Sequence, residues 1–355
     1  MVEDYVPQIL FYVTDKIFLR GNIVMDTPQK IYLGVNLNFA KYVYGHKRAL
    51  DLVRNEIGAY YAEMVPDTDY GPVFFATSPD RFRAFYTEAA EYADRIGVRI
   101  LTLLTFQRDN ASVTHSNPEI REHAFTAMRA MAAQAGCLRC DAVGASFGTI
   151  LVEDMEGKRE ECFEAGIRYW RWWLEILHEE GVEKANVEIM STLREPPATI
   201  ASAKEMLARL KGYHEQNAST TCTPACCYDV GHGATESERD SDDDIKFEAW
   251  FKAFPTDIVH IHLKNTDPLF LNTWPFTGEY RNSGIINLQE VVSAIRDHLR
   301  AEKLYLMIEV PGKRGRLIGE LESIRANRLS FENARKALSD EGFREDPQDH
   351  TWSPP

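Results

Sequence analysis

Cysteine is sparse in this chain, six in 355 residues, and long apolar runs are missing altogether. So few thiols do not make a disulfide scaffold, so a reduced, cytoplasmic protein is expected. The apolar run Ile9 to Val13 is far too short to span a bilayer, which argues against a membrane protein. The opening Met1-Val2-Glu3-Asp4 lacks the basic and apolar segments of a secretory signal. Positive charge is also short. Lys and Arg total 40 against 54 Asp and Glu, a net charge of −14, which disfavours a nonspecific grip on nucleic acid. A secreted mini-domain and a disordered chain are excluded as well, since 44% of the residues are apolar.

What is present is an alternation of short apolar runs with longer amphipathic ones. Eight runs read as parallel strands buried on both faces: Ile31–Leu37, Ala59–Val65, Val98–Phe106, Ala142–Phe147, Asn186–Met190, Ala225–Val230, Ile258–Leu263 and Leu304–Val310. Between them, His46–Glu56, Pro79–Arg95, Pro118–Ala135, Lys158–Glu180, Ile200–Gln216, Ile245–Ala253, Leu288–Leu299 and Glu320–Leu338 read as helices. Eight β-α units without a Gly-x-Gly-x-x-Gly turn after the first strand favour an α/β fold closed as a (β/α)8 TIM barrel over a doubly wound sheet. Residues 1–30 then form an N-terminal hairpin extension (Gln8–Val13 and Lys16–Leu19), residues 31–339 the barrel, and residues 340–355 a polar, loosely held C-terminal tail. The acidic run Glu236–Asp244 reads as a solvated loop.

In such a barrel the reacting groups gather at the C-terminal strand ends. Strand five ends in Glu188, strand six in Asp229 followed by His232, strand seven in His260 and His262, and strand eight in Glu309. Carboxylates buried in apolar strands need a partner, and several facing one lumen repel each other. A divalent cation removes the conflict, and mixed oxygen and nitrogen donors suit Mn²⁺, with Mg²⁺ and Co²⁺ as alternatives. Glu188, Asp229, His262 and Glu309 are therefore the expected metal ligands. His260 shares the face of His262 but lies deeper, as a hydrogen-bonded core histidine.

This order of residues resembles the xylose isomerase-like sugar isomerases and epimerases. Within them it is similar to ketose 3-epimerases of the tagatose/psicose kind and to erythrulose-phosphate epimerases. The resemblance covers about Ile31 to Leu338. It is carried by Val187-Glu188-Ile189, Asp229-Val230-Gly231-His232, His260-Ile261-His262-Leu263 and Ile308-Glu309-Val310. It implies one divalent metal held by the four residues above, proton transfer by Glu188 and Glu309, and substrate contact by His232. The segment from Trp274-Pro275-Phe276-Thr277 to Gly284-Ile285-Ile286 resembles the sugar-phosphate branch. Gly144 to Gly148 departs from that branch, which carries a histidine there.

The implied reaction is epimerisation beside the ketone of a ketose or ketose phosphate through a cis-enediolate, with the two glutamates on opposite faces. Lys264, Arg281, Lys313, Arg314 and Arg316 cluster in the loops after strands seven and eight, where such barrels bind phosphate. A solvated loop or a subunit salt-bridge patch is the competing reading of that cluster. Arg108, Arg194 and Asn36 are further candidates for substrate contact. Trp274 and Phe276 would roof a sugar or simply pack their loop. The cysteines at 137, 140, 222, 226 and 227 read as buried thiols rather than a zinc site. Tyr169, Trp170, Trp172 and Trp173 read as packing or a subunit face, and a homo-oligomer is expected. Three other functions fit less well: an aldose–ketose isomerase on the same site, a metal-dependent abasic-site endonuclease, and a non-catalytic sugar-binding barrel. The endonuclease would want three metals and a basic face for DNA. A small carbohydrate is thus the expected partner, with no nucleic acid and no membrane.

Overall fold

The computed structural model describes residues 29–40, 43–65, 71–104, 112–233, 241–267, 272–311 and 317–355. The expected N-terminal hairpin, Arg108 and the 313–316 cluster lie outside them. Eight strands, β1 (Lys30–Asn36), β2 (Tyr61–Met64), β3 (Arg99–Leu104), β4 (Ala142–Ser146), β5 (Lys184–Ile189), β6 (Thr223–Asp229), β7 (Ile258–Leu263) and β8 (Lys303–Ile308), pair in parallel in chain order. The sheet closes because β1 pairs with both β8 and β2. The fold is a TIM barrel, as expected.

The intervening helices are α1 (His46–Leu52), α2 (Gly71–Thr77), α3 (Pro79–Arg95), α4 (Pro118–Leu138), α5 (Arg159–Glu179), α6 (Ile200–Gln216), the single turn α7 (Val230–Gly233), α8 (Phe247–Ala253), α9 (Gly278–Ser283), α10 (Leu288–His298) and α11 (Leu317–Asp340). Proline stands in the first turn of α3 and α4, where its missing N–H costs nothing. No helix among the described residues is long and apolar enough to cross a membrane.

The aromatic run of α5 is mainly core. Trp170 and Trp173 are fully buried and donate their indole N–H groups to the carbonyls of Phe147 (3.1 Å) and Met128 (2.9 Å). Trp172 alone of the four is exposed. The cysteines at 140, 222, 226 and 227 are buried free thiols. Asp244 departs from the solvated loop expected of its acidic run. It is buried and accepts the N–H of Ile200 at 2.7 Å, at the first turn of α6. A helix start leaves N–H groups without intrahelical partners, and a carboxylate there is favoured by the helix dipole.

The tail also departs from expectation. Residues Arg344–Glu345 (β9) and Trp352–Ser353 (β10) pair with each other, and Trp352 pairs antiparallel with Ile31. The register explains this: β1 meets β2 only from Val35 onward, which leaves its first half with an open edge. An unpaired edge beside apolar surface is costly, and the tail covers it while burying Trp352. Asp349 anchors the turn by accepting from the N–H (3.0 Å) and hydroxyl (2.6 Å) of Thr351 and by pairing with Lys30 at 3.0 Å.

Burial alone would raise the Asp349 carboxyl, but Thr351 and Lys30 outweigh it and hold it at about 2. A group lowered in the folded state stabilises above its ordinary value of 3.8 and loses that contribution as pH falls through the folded value. The protection factors of the amides in 344–353, that is the slowing of their exchange relative to the intrinsic rate at each pH, are therefore expected to fall between about pH 4 and 2. Asp349→Asn should remove that pH dependence, and protection that is equally pH-sensitive in the variant would rule the anchor out.

Candidate metal centre

The inward positions of β5 to β8 build the site. Alternate residues of a strand share one face, so a polar residue at a strand's last inward position stands at the mouth of the lumen. Below it, Tyr32, Tyr61, Leu101, Ala142, Tyr305 and Met307 pack as a separate apolar cluster. Glu188 stands one residue before the end of β5 and Asp229 ends β6, His262 lies opposite Asp229 in register, and Glu309 follows β8 with its N–H on the carbonyl of Leu263. All four are buried.

His262 is the centre of the arrangement. Its Nδ1 lies 3.7 Å from Glu188 Oε1, 3.8 Å from Asp229 Oδ2 and 3.6 Å from Glu309 Oε2. Its other nitrogen, Nε2, is 2.8 Å from Glu63 Oε1. An ionised carboxylate only accepts, so Nε2 can donate to Glu63 while the ring turns Nδ1 toward the three acids. His232, on α7, joins them with Nδ1 at 3.6 Å from both Glu188 Oε1 and Asp229 Oδ2.

Glu63 is the site residue that sequence reasoning missed. It is fully buried and accepts from Asn36 Nδ2 (2.6 Å) and Thr102 Oγ1 (2.9 Å), besides His262. His260 Nε2 lies 3.0 Å from its second oxygen, which places this histidine in the core, deeper than His262. Burial alone would raise Glu63, but the two imidazoles hold it far below the carboxylate range. The signal was a lone acid inside the apolar run Ala59–Val65, which the cost of burying a charge makes conspicuous.

The three acids around His262 differ in environment. Burial lifts Glu309 to about 7 against the pull of Lys264 and His262. Burial acts on Glu188 and Asp229 too, but His262 and His232, with Lys264 at Asp229, outweigh it and hold both below the ordinary range.

Other expected contacts fall elsewhere. Lys264, expected to reach a phosphate, is buried with Nζ 2.5 Å from Asp229 Oδ2 and 3.1 Å from Glu309 Oε2. Asn36 spends its amide on Glu63, and its oxygen accepts the N–H of Asn38 at 2.8 Å. Arg194 Nε donates to the carbonyl of Ile150 at 2.9 Å, tying the loop after β5 to the loop after β4. Trp274 pairs through its backbone with Asn265 and, with Tyr280, Val310 and Arg325, lines a cavity of about 700 Å³. Phe276 is no roof: it is buried in the core. Arg281 is exposed on α9 and lines a different cavity.

A divalent ion fits this set. Asp229, His262 and Glu309 offer donor atoms all within 4.8 Å of one another, as do Glu188, Asp229 and His232. Glu188 Oε1 and His262 Nδ1 are buried polar atoms without a hydrogen bond, which is costly unless something cationic is shared between them. Oxygen donors with one imidazole suit Mn²⁺, Mg²⁺ or Co²⁺.

A family model described as xylose isomerase-like TIM barrel matches residues 52–334. Among solved structures, the chain is similar to a putative xylose isomerase from Rhodospirillum rubrum, at 18% identity and a TM-score of 0.74, over 86% of this chain and 99% of the other. It is similar to a D-psicose 3-epimerase from Clostridium cellulolyticum at 14% identity and a TM-score of 0.63, over 86% and 99%. It also resembles a 3-keto-D-glucoside 4-epimerase from E. coli, at 11% identity and a TM-score of 0.58, over 86% and 100%. No curated protein matches the sequence.

Proposed function

Because the chain belongs to the xylose isomerase-like TIM barrel family, we propose that it is a divalent-metal-dependent sugar epimerase, inverting the carbon beside the ketone of a ketose or ketose phosphate. The observation that carries this reading is His262 Nδ1 set 3.6–3.8 Å from carboxylate oxygens of Glu188, Asp229 and Glu309, at or next to the ends of three different strands. Glu188, Asp229, His262 and Glu309 would hold the ion, Mn²⁺ ahead of Mg²⁺ or Co²⁺. Such an ion, when bound, polarises a carbonyl and acidifies the neighbouring C–H.

The chain's own residues do the rest. Glu188 takes the proton from one face of that carbon, and Glu309 returns one to the other face; starting from the opposite epimer, the roles exchange. Strands β5 and β8 are three places apart around the closed sheet, so the two acids approach from different sides. His232 lies against both Glu188 and Asp229 and would contact a substrate oxygen from there. Excluding water from the buried lumen strengthens each of these contacts. The relatives named for psicose 3-epimerase and for a keto-glucoside 4-epimerase support inversion beside a carbonyl as the shared chemistry.

The test is a panel of tetruloses, pentuloses and hexuloses, free and phosphorylated, incubated with Mn²⁺ in D₂O. Inversion with one solvent deuteron at the carbon beside the ketone is expected for at least one member, and none without the ion. Carbonyl migration to an aldose would replace epimerase by isomerase. No turnover with any member would overturn the reading.

A further inference from the structure

The proposed chemistry leaves Lys264 unused, although it is the most deeply placed cation of the site. Its ammonium lies 2.5 Å from Asp229 Oδ2 and 3.1 Å from Glu309 Oε2, and 3.5 Å from His232 Nε2. Those two carboxylate oxygens are the same ones that face His262 Nδ1. The stem is seated as firmly as the head. A Cβ on Gly231 would stand 2.7 Å from Lys264 Cε and 3.1 Å from Cγ, so only glycine two residues after Asp229 lets the lysine lie along the site. Burying an ammonium group costs several kcal/mol unless charge compensates it. Its position therefore reflects a demand of the site rather than loose packing.

We propose that Lys264 is the resident counter-cation of the metal centre, holding Asp229 and Glu309 together and setting how tightly the divalent ion binds. Bound to Asp229 Oδ2 and Glu309 Oε2, the lysine offsets part of the acid charge gathered at His262 Nδ1. Sharing two donor oxygens with the ion, it also repels it at short range. Removing the lysine charge therefore tightens ion binding, whereas removing a mere strut would let the acids splay and weaken it. A second dication is disfavoured by the same fixed charge, so the site takes a single ion. This inference rests on the reading of the site as an ion centre.

The experiment is calorimetric titration of Mn²⁺ into the metal-free full-length protein, comparing wild type with Lys264→Met and Lys264→Gln, each checked for folding by circular dichroism. Met matches the stem without charge, and Gln keeps a donor without charge, so Gln decides if the Met variant fails to fold. Both are expected to bind Mn²⁺ at least about 10-fold more tightly, at a stoichiometry of one, because an unscreened like charge within a few ångströms is lost. Unchanged or weaker binding in the variants, with wild-type binding intact, overturns the counter-cation and leaves the metal centre standing. Absence of Mn²⁺ binding in wild type overturns the metal centre itself, and the inference with it.

Discussion

Glu188→Gln is expected to lower turnover by about 10²–10⁴-fold, the usual contribution of a positioned acid or base. Gln keeps an oxygen where Glu188 Oε1 stands 3.7 Å from His262 Nδ1 but loses the charge, so the comparison is made at saturating Mn²⁺, where the site stays loaded while proton transfer fails. The informative readout is which hydrogen still exchanges. With Glu188 silenced, Glu309 still serves its own face, so the epimer whose C–H points to Glu309 should exchange with D₂O without inverting. Glu309→Gln should leave the complementary exchange. Full activity in either variant, or loss of exchange on both faces with the ion retained, would remove the two-residue mechanism.

Glu63→Gln is expected to weaken Mn²⁺ binding by about 10–100-fold, the range seen when a group that orients a metal-bound histidine is altered. The carboxylate takes four contacts: Asn36, Thr102 and His262 donate to it, and His260 lies 3.0 Å away. An amide offers one acceptor and one donor in its place. One of the two histidines then loses its acceptor, and the charge that makes the His262 imidazole a better ligand is gone. Calorimetry of the metal-free protein measures the affinity. Thermal unfolding with excess Mn²⁺ measures the linked stability, since a ligand at 100 times its Kd adds about 2.7 kcal/mol. Wild-type affinity in the variant would make Glu63 a structural acid only.

Local sequence carried much of this site, and its reach has a clear boundary. Glu188, Asp229, His262 and Glu309 were legible because each ends an apolar run, and a charge there is costly without a purpose. Lys264 was legible as a cation but assigned to a phosphate, since a loop position two residues past His262 says nothing of where the side chain folds back. The structure turns it onto Asp229 and Glu309. The role of Glu63 is not legible in the sequence because its partner His262 is 199 residues distant, on a strand three places away around the barrel.

The sequence by itself determined the eight strands, the eight longer helical stretches between them and which acids and histidines stand near the strand ends. These follow from side-chain periodicity and burial cost, both of which act between near neighbours. Only the tertiary structure decided which nitrogen of His262 faces the acids, what Lys264 neutralises, and that the tail closes the open edge of β1. Each of these depends on strands distant in the chain meeting when the sheet closes, and a hydrogen-bond partner across a closed barrel leaves no mark in local order.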